Sequence, residues 1–225
     1  MKIAVLLLCI VSCTLLFAQS GVLPPDPKPN APLPKVGPAK YFQAACDGNL
    51  AVVQQAIADG NPVDVKSIPD GYTPFLCAAR GGHLDVLQFL LSKGADPTKY
   101  DNSRFKTPLQ AACYTSKNPK LCTGNCEAAV AWLLTLPAVH ASVNVNHRSI
   151  NGWTALMDAA WVGDLKVVQA LVIAGADWRM RAPNGQTALD LASTAYANGG
   201  PVKTGDSNAT KEDYLAVIDY LRGLH

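Results

Sequence analysis

The chain has 225 residues, 49% hydrophobic and 16% charged, with a formal net charge of +2. That balance excludes a disordered polyelectrolyte, and the length suits one domain with a tail. No run of Lys or Arg is longer than two, so the clustered basic face of a nucleic-acid binder is missing.

The first segment, MKIAVLLLCIVSCTLLFAQS, places Lys2 before an apolar run from Ile3 to Phe17 and ends on Ala18 and Ser20. A charged start, a short apolar run and small residues predict a secretory leader over 1–20, cut after Ser20. The run is short of the about 20 residues needed to span a membrane. Cys13 sits in a loose match to a lipidation box, but the apolar residues after it disfavour lipid attachment. Gly21 to Lys40 follows with seven prolines, predicting an extended spacer over 21–40.

From Tyr41 the chain repeats itself. GYTPFLCAARGGHLDVLQFLLSKGADP (Gly71 to Pro97) aligns with GWTALMDAAWVGDLKVVQALVIAGADW (Gly152 to Trp178). Looser copies begin YFQAAC (Tyr41), KTPLQAAC (Lys106) and GQTALDLA (Gly185). Each copy predicts two helices and an extended loop. Thr73 and Thr107 are N-cap residues, with Pro74 and Pro108 at the first helical position. Gly82 and Gly163 end the first helix. Val86, Leu87, Leu90 and Leu91 form the apolar stripe of the second helix, matched by Val167, Val168, Leu171 and Val172. No unit buries that stripe alone, so the copies must stack.

These motifs, Thr-Pro-Leu-x-x-Ala-Ala with Gly-His and Gly-Ala-Asp, resemble ankyrin repeats. The resemblance implies an all-α solenoid of about five helix-turn-helix units with extended, β-hairpin-like loops. The domain is expected over 41–225, with units near 41–70, 71–103, 104–150, 151–183 and 184–225. The frame is broken in two places. The third unit is longer than the others, with inserts at Tyr114 to Cys126 and Leu136 to Asn144; the fifth swells at Tyr196 to Lys211.

Five cysteines follow the leader: Cys46, Cys77, Cys113, Cys122 and Cys126. Export admits disulfides, and a bridge in the third unit is expected, joining Cys122 to Cys126 or Cys113 to either. Cys46 and Cys77 occupy near-matching places in neighbouring first helices, where a bridge and two buried thiols are both open readings. A lone C-x3-C without nearby His is weak support for zinc. The histidines (His83, His140, His147, His225) form no catalytic constellation, and no phosphate loop is present. The expectation is a protein that is not an enzyme, with no catalytic residue, metal or cofactor. Asn208-Ala209-Thr210 is formally a glycosylation sequon.

In the family, partner-binding side chains lie around the Gly of Gly-x-Thr and just after the Ala-Ala pair. Carried over, this picks Asp70, Tyr72, Arg80 and Tyr100, then Arg104, Phe105, Lys106 and Tyr114. Asn151, Trp153, Trp161, Arg181, Asn184 and Gln186 follow. Trp132 and Trp178 are assigned to packing. The resemblance implies an exported, periplasmic or secreted protein that binds another exported protein and is monomeric when unbound. It is expected to bind no nucleic acid and to keep no membrane span after leader cleavage. The leading expectation is an inhibitor or immunity protein giving self-protection by occluding a peptidoglycan hydrolase. The alternatives are a scaffold or stabiliser of a periplasmic redox enzyme such as catalase, and a secreted effector that binds host proteins.

Overall fold

The computed structural model describes residues 35–104, 106–199 and 208–224. The expected leader, most of the expected spacer, and Phe105 lie outside them.

The helices come in pairs. They are α1 (Pro38–Asp47) with α2 (Leu50–Ala58), α3 (Pro74–Gly81) with α4 (Leu84–Ser92), and α5 (Pro108–Thr115) with α6 (Cys126–Thr135). Two short helices, α7 (Pro137–His140) and α8 (Ser142–Val145), fill the insert after α6. Then come α9 (Ala155–Val162) with α10 (Leu165–Ile173), and α11 (Ala188–Ala197) with α12 (Lys211–Arg222). The first helices α1, α3, α5, α9 and α11 pack on one another in that order.

The caps explain where the helices begin. Thr73, Thr107, Thr154 and Thr187 each accept from the backbone N–H three residues on. That satisfies one of the donors a helix start leaves open. Asn49, Asn125 and Asp164 do the same for second helices. Gly82 sits in the left-handed region, with φ +74, and a Cβ there would meet backbone atoms of Asn125 and Cys126 within 2.8 Å. Only glycine satisfies both demands.

Ala78, Ala79, Ala112, Ala159, Ala160 and Ala192 are fully buried and keep the first helices thin. Val86, Leu87 and Leu90 are buried, as are Val167, Val168 and Leu171. The last member of each expected stripe, Leu91 and Val172, is only half-buried against that core. The stack covers three of the four positions, because the fourth turns towards the helix flank.

The spacer expected over 21–40 ends earlier than predicted. Val36 is buried, its N–H donates to Asp59 Oδ2 at 2.7 Å, and its carbonyl accepts from Asn61 Nδ2 at 2.8 Å. Pro38 opens α1, because a first-turn residue needs no N–H.

A backbone bond closes the base of each loop. Ser67 donates to Tyr72, Asp101 to Lys106, Ser149 to Trp153 and Ala182 to Gln186, at 2.9 to 3.1 Å. Neighbouring tips are tied by Asn102 N–H to Asp70 O and Ile150 N–H to Arg104 O. No strand forms among the described residues.

The insert between α5 and α6 folds back on the second unit. Gly124 and Asn125 donate to the carbonyls of Gly81 and Gly82, both at 2.8 Å. The fifth unit's insert reaches the same place: Asn208 N–H donates to Lys117 O at 2.9 Å, and Lys117 Nζ lies 3.9 Å from Asp213. Among the described residues, no helix is long and apolar enough to cross a membrane.

Candidate protein-binding face

The residue before each cap threonine and the residue eight further on belong together. The backbone explains why: the first lies at the loop's exit, the second at the helix's last turn, on the side the stack leaves open. The pairs are Tyr72 with Arg80, Lys106 with Tyr114, Trp153 with Trp161, and Gln186 with Thr194. Lys106 Nζ stands 4.1 Å above the Tyr114 ring, the two indoles meet edge-on with centroids 5.7 Å apart, and Gln186 Nε2 donates to Thr194 Oγ1 at 3.2 Å. Tyr72 and Arg80 border the same groove. Four neighbouring units thus display a row of side-chain pairs across one face.

Between the second and third units this face opens into a groove of about 110 Å³. Tyr72, Arg80, Asp101, Arg104, Lys106 and Tyr114 line it. Pockets for drug-sized ligands hold about 300 Å³ or more, so the groove has room for one protruding side chain. Asp101 is buried and accepts from the Arg104 N–H at 2.5 Å, which fixes the loop that carries Arg104.

Beneath the groove lies an ion pair. Lys106 Nζ is 2.7 Å from Asp158 Oδ1, with 11% and 1% of the two side chains exposed. Asp158 Oδ2 has no hydrogen-bond partner among the described residues. Burial pushes the Asp158 carboxyl above the ordinary carboxylate range, while the Lys106 charge and hydrogen bond pull it back. The ammonium therefore serves two neighbours, a carboxylate below and an aromatic ring above.

Tyr72, Arg80, Arg104, Lys106 and Tyr114 thus come together in one groove, and Trp153 pairs with Trp161 further along. Both tryptophans are half-buried against the core while keeping an open edge. The remaining expected residues lie on loop tips. Tyr100 is 45% exposed and stacks on His147 at 5.7 Å. Asp70 and Asn151 are exposed. Arg181 donates to Gly185 O at 2.7 Å, and Asn184 to Gln186 Oε1 at 2.6 Å. Trp132 and Trp178 are half-buried against the core, and the Arg179 guanidinium lies 4.0 Å from the Trp178 ring.

Asp101 and Asp158 are site residues that the repeat frame does not pick. Asp158 had a signal: it is a carboxylate inside an otherwise apolar helix, at the place Cys77 holds in the second unit. The structure joins Cys122 to Cys126 and leaves Cys113 a fully buried thiol, which burial pushes well above the usual thiol range. Cys126 heads α6 and its N–H donates to Cys122 Sγ, so the bridge closes the turn that enters the helix.

The profile for ankyrin repeats (3 copies) matches residues 41–123, and that for ankyrin repeats (many copies) matches 139–192. The chain belongs to the ankyrin-repeat proteins. It is 32% identical over 151 residues to the ankyrin repeat and SAM domain-containing protein 6 of Mus musculus, covering 67% of this chain and 12% of that protein. It is 27% identical over 192 residues to the tyrosine-protein kinase HTK16 of Hydra vulgaris, covering 83% of this chain and 23% of that protein. With the calmodulin-binding transcription activator 3 of Arabidopsis thaliana it shares 40% over 74 residues, 30% of this chain and 7% of that protein. The chain thus spans less than a quarter of these relatives. Ankyrin repeats are protein-binding modules, and that is the general role the family gives this chain.

Proposed function

We propose that the protein is an exported, non-catalytic inhibitor that lays its face of paired side chains over the cleft of a peptidoglycan hydrolase. The observation that carries the reading is the row Arg80–Tyr114–Trp161, with Tyr72, Lys106 and Trp153 beside it. Tyr, Trp and Arg dominate binding hot spots, and here Arg80, Tyr114 and Trp161 stand on helices, with Tyr72 and Trp153 at the loop exits beside them. The groove takes one side chain, and Arg80 and Arg104 on its walls suit a carboxylate, the group hydrolases commonly use as acid or base. Export is supported by the leader-like first 20 residues.

Titrating the purified protein into assays of the source organism's exported cell-wall hydrolases tests this. One of them should lose activity at a near-stoichiometric ratio. Arg80→Ala and Trp161→Ala, each confirmed folded by circular dichroism, should weaken that inhibition by about thirty-fold or more, a loss of about 2 kcal/mol. Unchanged activity of every hydrolase at saturating ratio overturns the inhibitor reading. A second reading, a partner of an exported redox enzyme, is favoured by one observation, the close pair of thiols Cys46 and Cys77.

A further inference from the structure

A second opening lies beside Arg80, between the first two units and the insert of the third. Cys46, at the last turn of α1, and Cys77, in α3, both open onto it. Both border a groove of about 260 Å³ whose other walls include Asp47, Arg80, Lys120 and Thr123. The two sulfurs are not equivalent: Cys46 is half-exposed and Cys77 is buried.

The walls of this groove are tied in place. His83 Nε2 lies 2.8 Å from the Cys46 carbonyl and 3.2 Å from Thr123 Oγ1. Because a carbonyl only accepts, Nε2 carries the proton. One imidazole thus links the first unit, the second unit and the insert of the third. The Cys122–Cys126 bridge encloses Thr123, so that side of the groove is covalently restrained as well.

From this geometry we propose that Cys46 and Cys77 are a thiol–disulfide exchange site for a low-molecular-weight disulfide, with Cys46 attacking and Cys77 resolving. In the first step Cys46 thiolate attacks one sulfur of R–S–S–R. A Cys46–S–S–R bond forms, the R–S–S–R bond breaks, and one RS⁻ leaves. In the second step Cys77 gives its proton to solvent and attacks Cys46 Sγ, expelling the second RS⁻. The external disulfide gains two electrons and becomes two thiols. The pair loses two and becomes a Cys46–Cys77 bridge between the first and second units.

The division of labour follows from the surroundings. The thiolate is the nucleophile, and it forms where an accessible sulfur has donors and positive charge nearby. Interaction with the Cys77 thiol holds Cys46 below the usual thiol range; burial opposes this, Arg80 assists it and Asp47 opposes it. Interaction with Cys46, and then burial, push Cys77 well above that range. A sulfur held protonated and out of reach does not attack first, but it is placed to resolve an adduct on its neighbour. The assignment is independent of what the paired face binds, because its test uses the isolated protein.

The test is incubation of the folded full chain, its Cys122–Cys126 bridge intact, with oxidised glutathione, followed by non-reducing digestion and mass spectrometry. The wild type should yield a peptide linking Cys46 to Cys77. Cys77→Ser should accumulate glutathione on Cys46, and Cys46→Ser should lower total adduct at least ten-fold. Should either variant fail to fold by circular dichroism, brief alkylation of the native wild type with iodoacetamide decides instead. Cys46 should then react at least ten-fold faster than Cys77 and Cys113, and Arg80→Gln should slow it. A wild type that forms neither a Cys46–Cys77 bridge nor a Cys46 adduct overturns the proposal, as does alkylation of Cys46 no faster than Cys113.

Discussion

The second and fourth units share a frame almost residue for residue, yet they carry different chemistry. Thr73 caps the Leu76 N–H at 3.1 Å and Thr154 caps the Met157 N–H at 3.4 Å. Gly82 and Gly163 stop their helices at φ +74 and +75. Between these fixed points, Tyr72 and Arg80 stand where the fourth unit has Trp153 and Trp161, and Cys77 stands where it has Asp158. His83 stands where it has Asp164. Asp164 accepts from the Val167 N–H at 3.2 Å, an ordinary cap. His83 caps nothing with its side chain and reaches instead to Cys46 and Thr123. The frame therefore sets the backbone twice over in the same way, and the variable places decide which neighbour each unit grips.

The sharpest way to break this comparison is at the carboxylate that the second unit lacks. Lys106→Leu leaves Asp158 buried without its partner and should cost about 4 kcal/mol at pH 7, read by urea denaturation. Replacing Asp158 by Leu as well should recover most of it. The loss should shrink as the pH is lowered. Asp158 has a folded pKa above its unfolded value, so the folded protein holds that proton more tightly. Its contribution to stability then falls as pH rises from the ordinary carboxylate range, about 4, through the raised value. Without Lys106 to pull it back the effect is larger, so a loss equal at pH 4 and pH 7 would contradict the assignment.

Next in size, Leu90→Ala and Leu171→Ala should each cost about 3 kcal/mol in the same measurement. The two values should be similar, because both leucines are fully buried at the same place in the frame. A large gap between them would show that the two stacks are packed differently. The smallest effects should separate the two cap positions. Asp164→Ala should cost about 1 kcal/mol and leave the third unit's insert unchanged. His83→Ala should instead speed amide exchange at Gly124 and Asn125, which Asp164→Ala should not move.

The paired helices, their caps and most of the buried stripe were legible in the sequence because they are local. A Thr, a Pro and an Ala pair at fixed spacing state the same geometry each time. Most residues of the groove were legible as well, since the frame marks the places before the cap and at the last turn. What escaped was whatever depends on distant partners. Lys106 and Asp158 are 52 residues apart, and neither position announces the other. The early start of the fold was hidden because Val36 lies among prolines, and its anchors, Asp59 and Asn61, follow α2. Spacing alone left the disulfide pairing open, since any two of Cys113, Cys122 and Cys126 could have met.

The bond from Asn208 to Lys117 has a consequence for how the molecule comes apart. A repeat stack normally behaves as a one-dimensional chain in which each unit feels only its neighbours, so it can fray from an end. Here the fifth unit is tied to the third, past the fourth. Releasing the C-terminal pair of helices then also breaks contacts two units away, which penalises partly open states relative to the closed one. The last three units should melt as one block, and the irregular inserts that interrupt the repeat are what bind that block together.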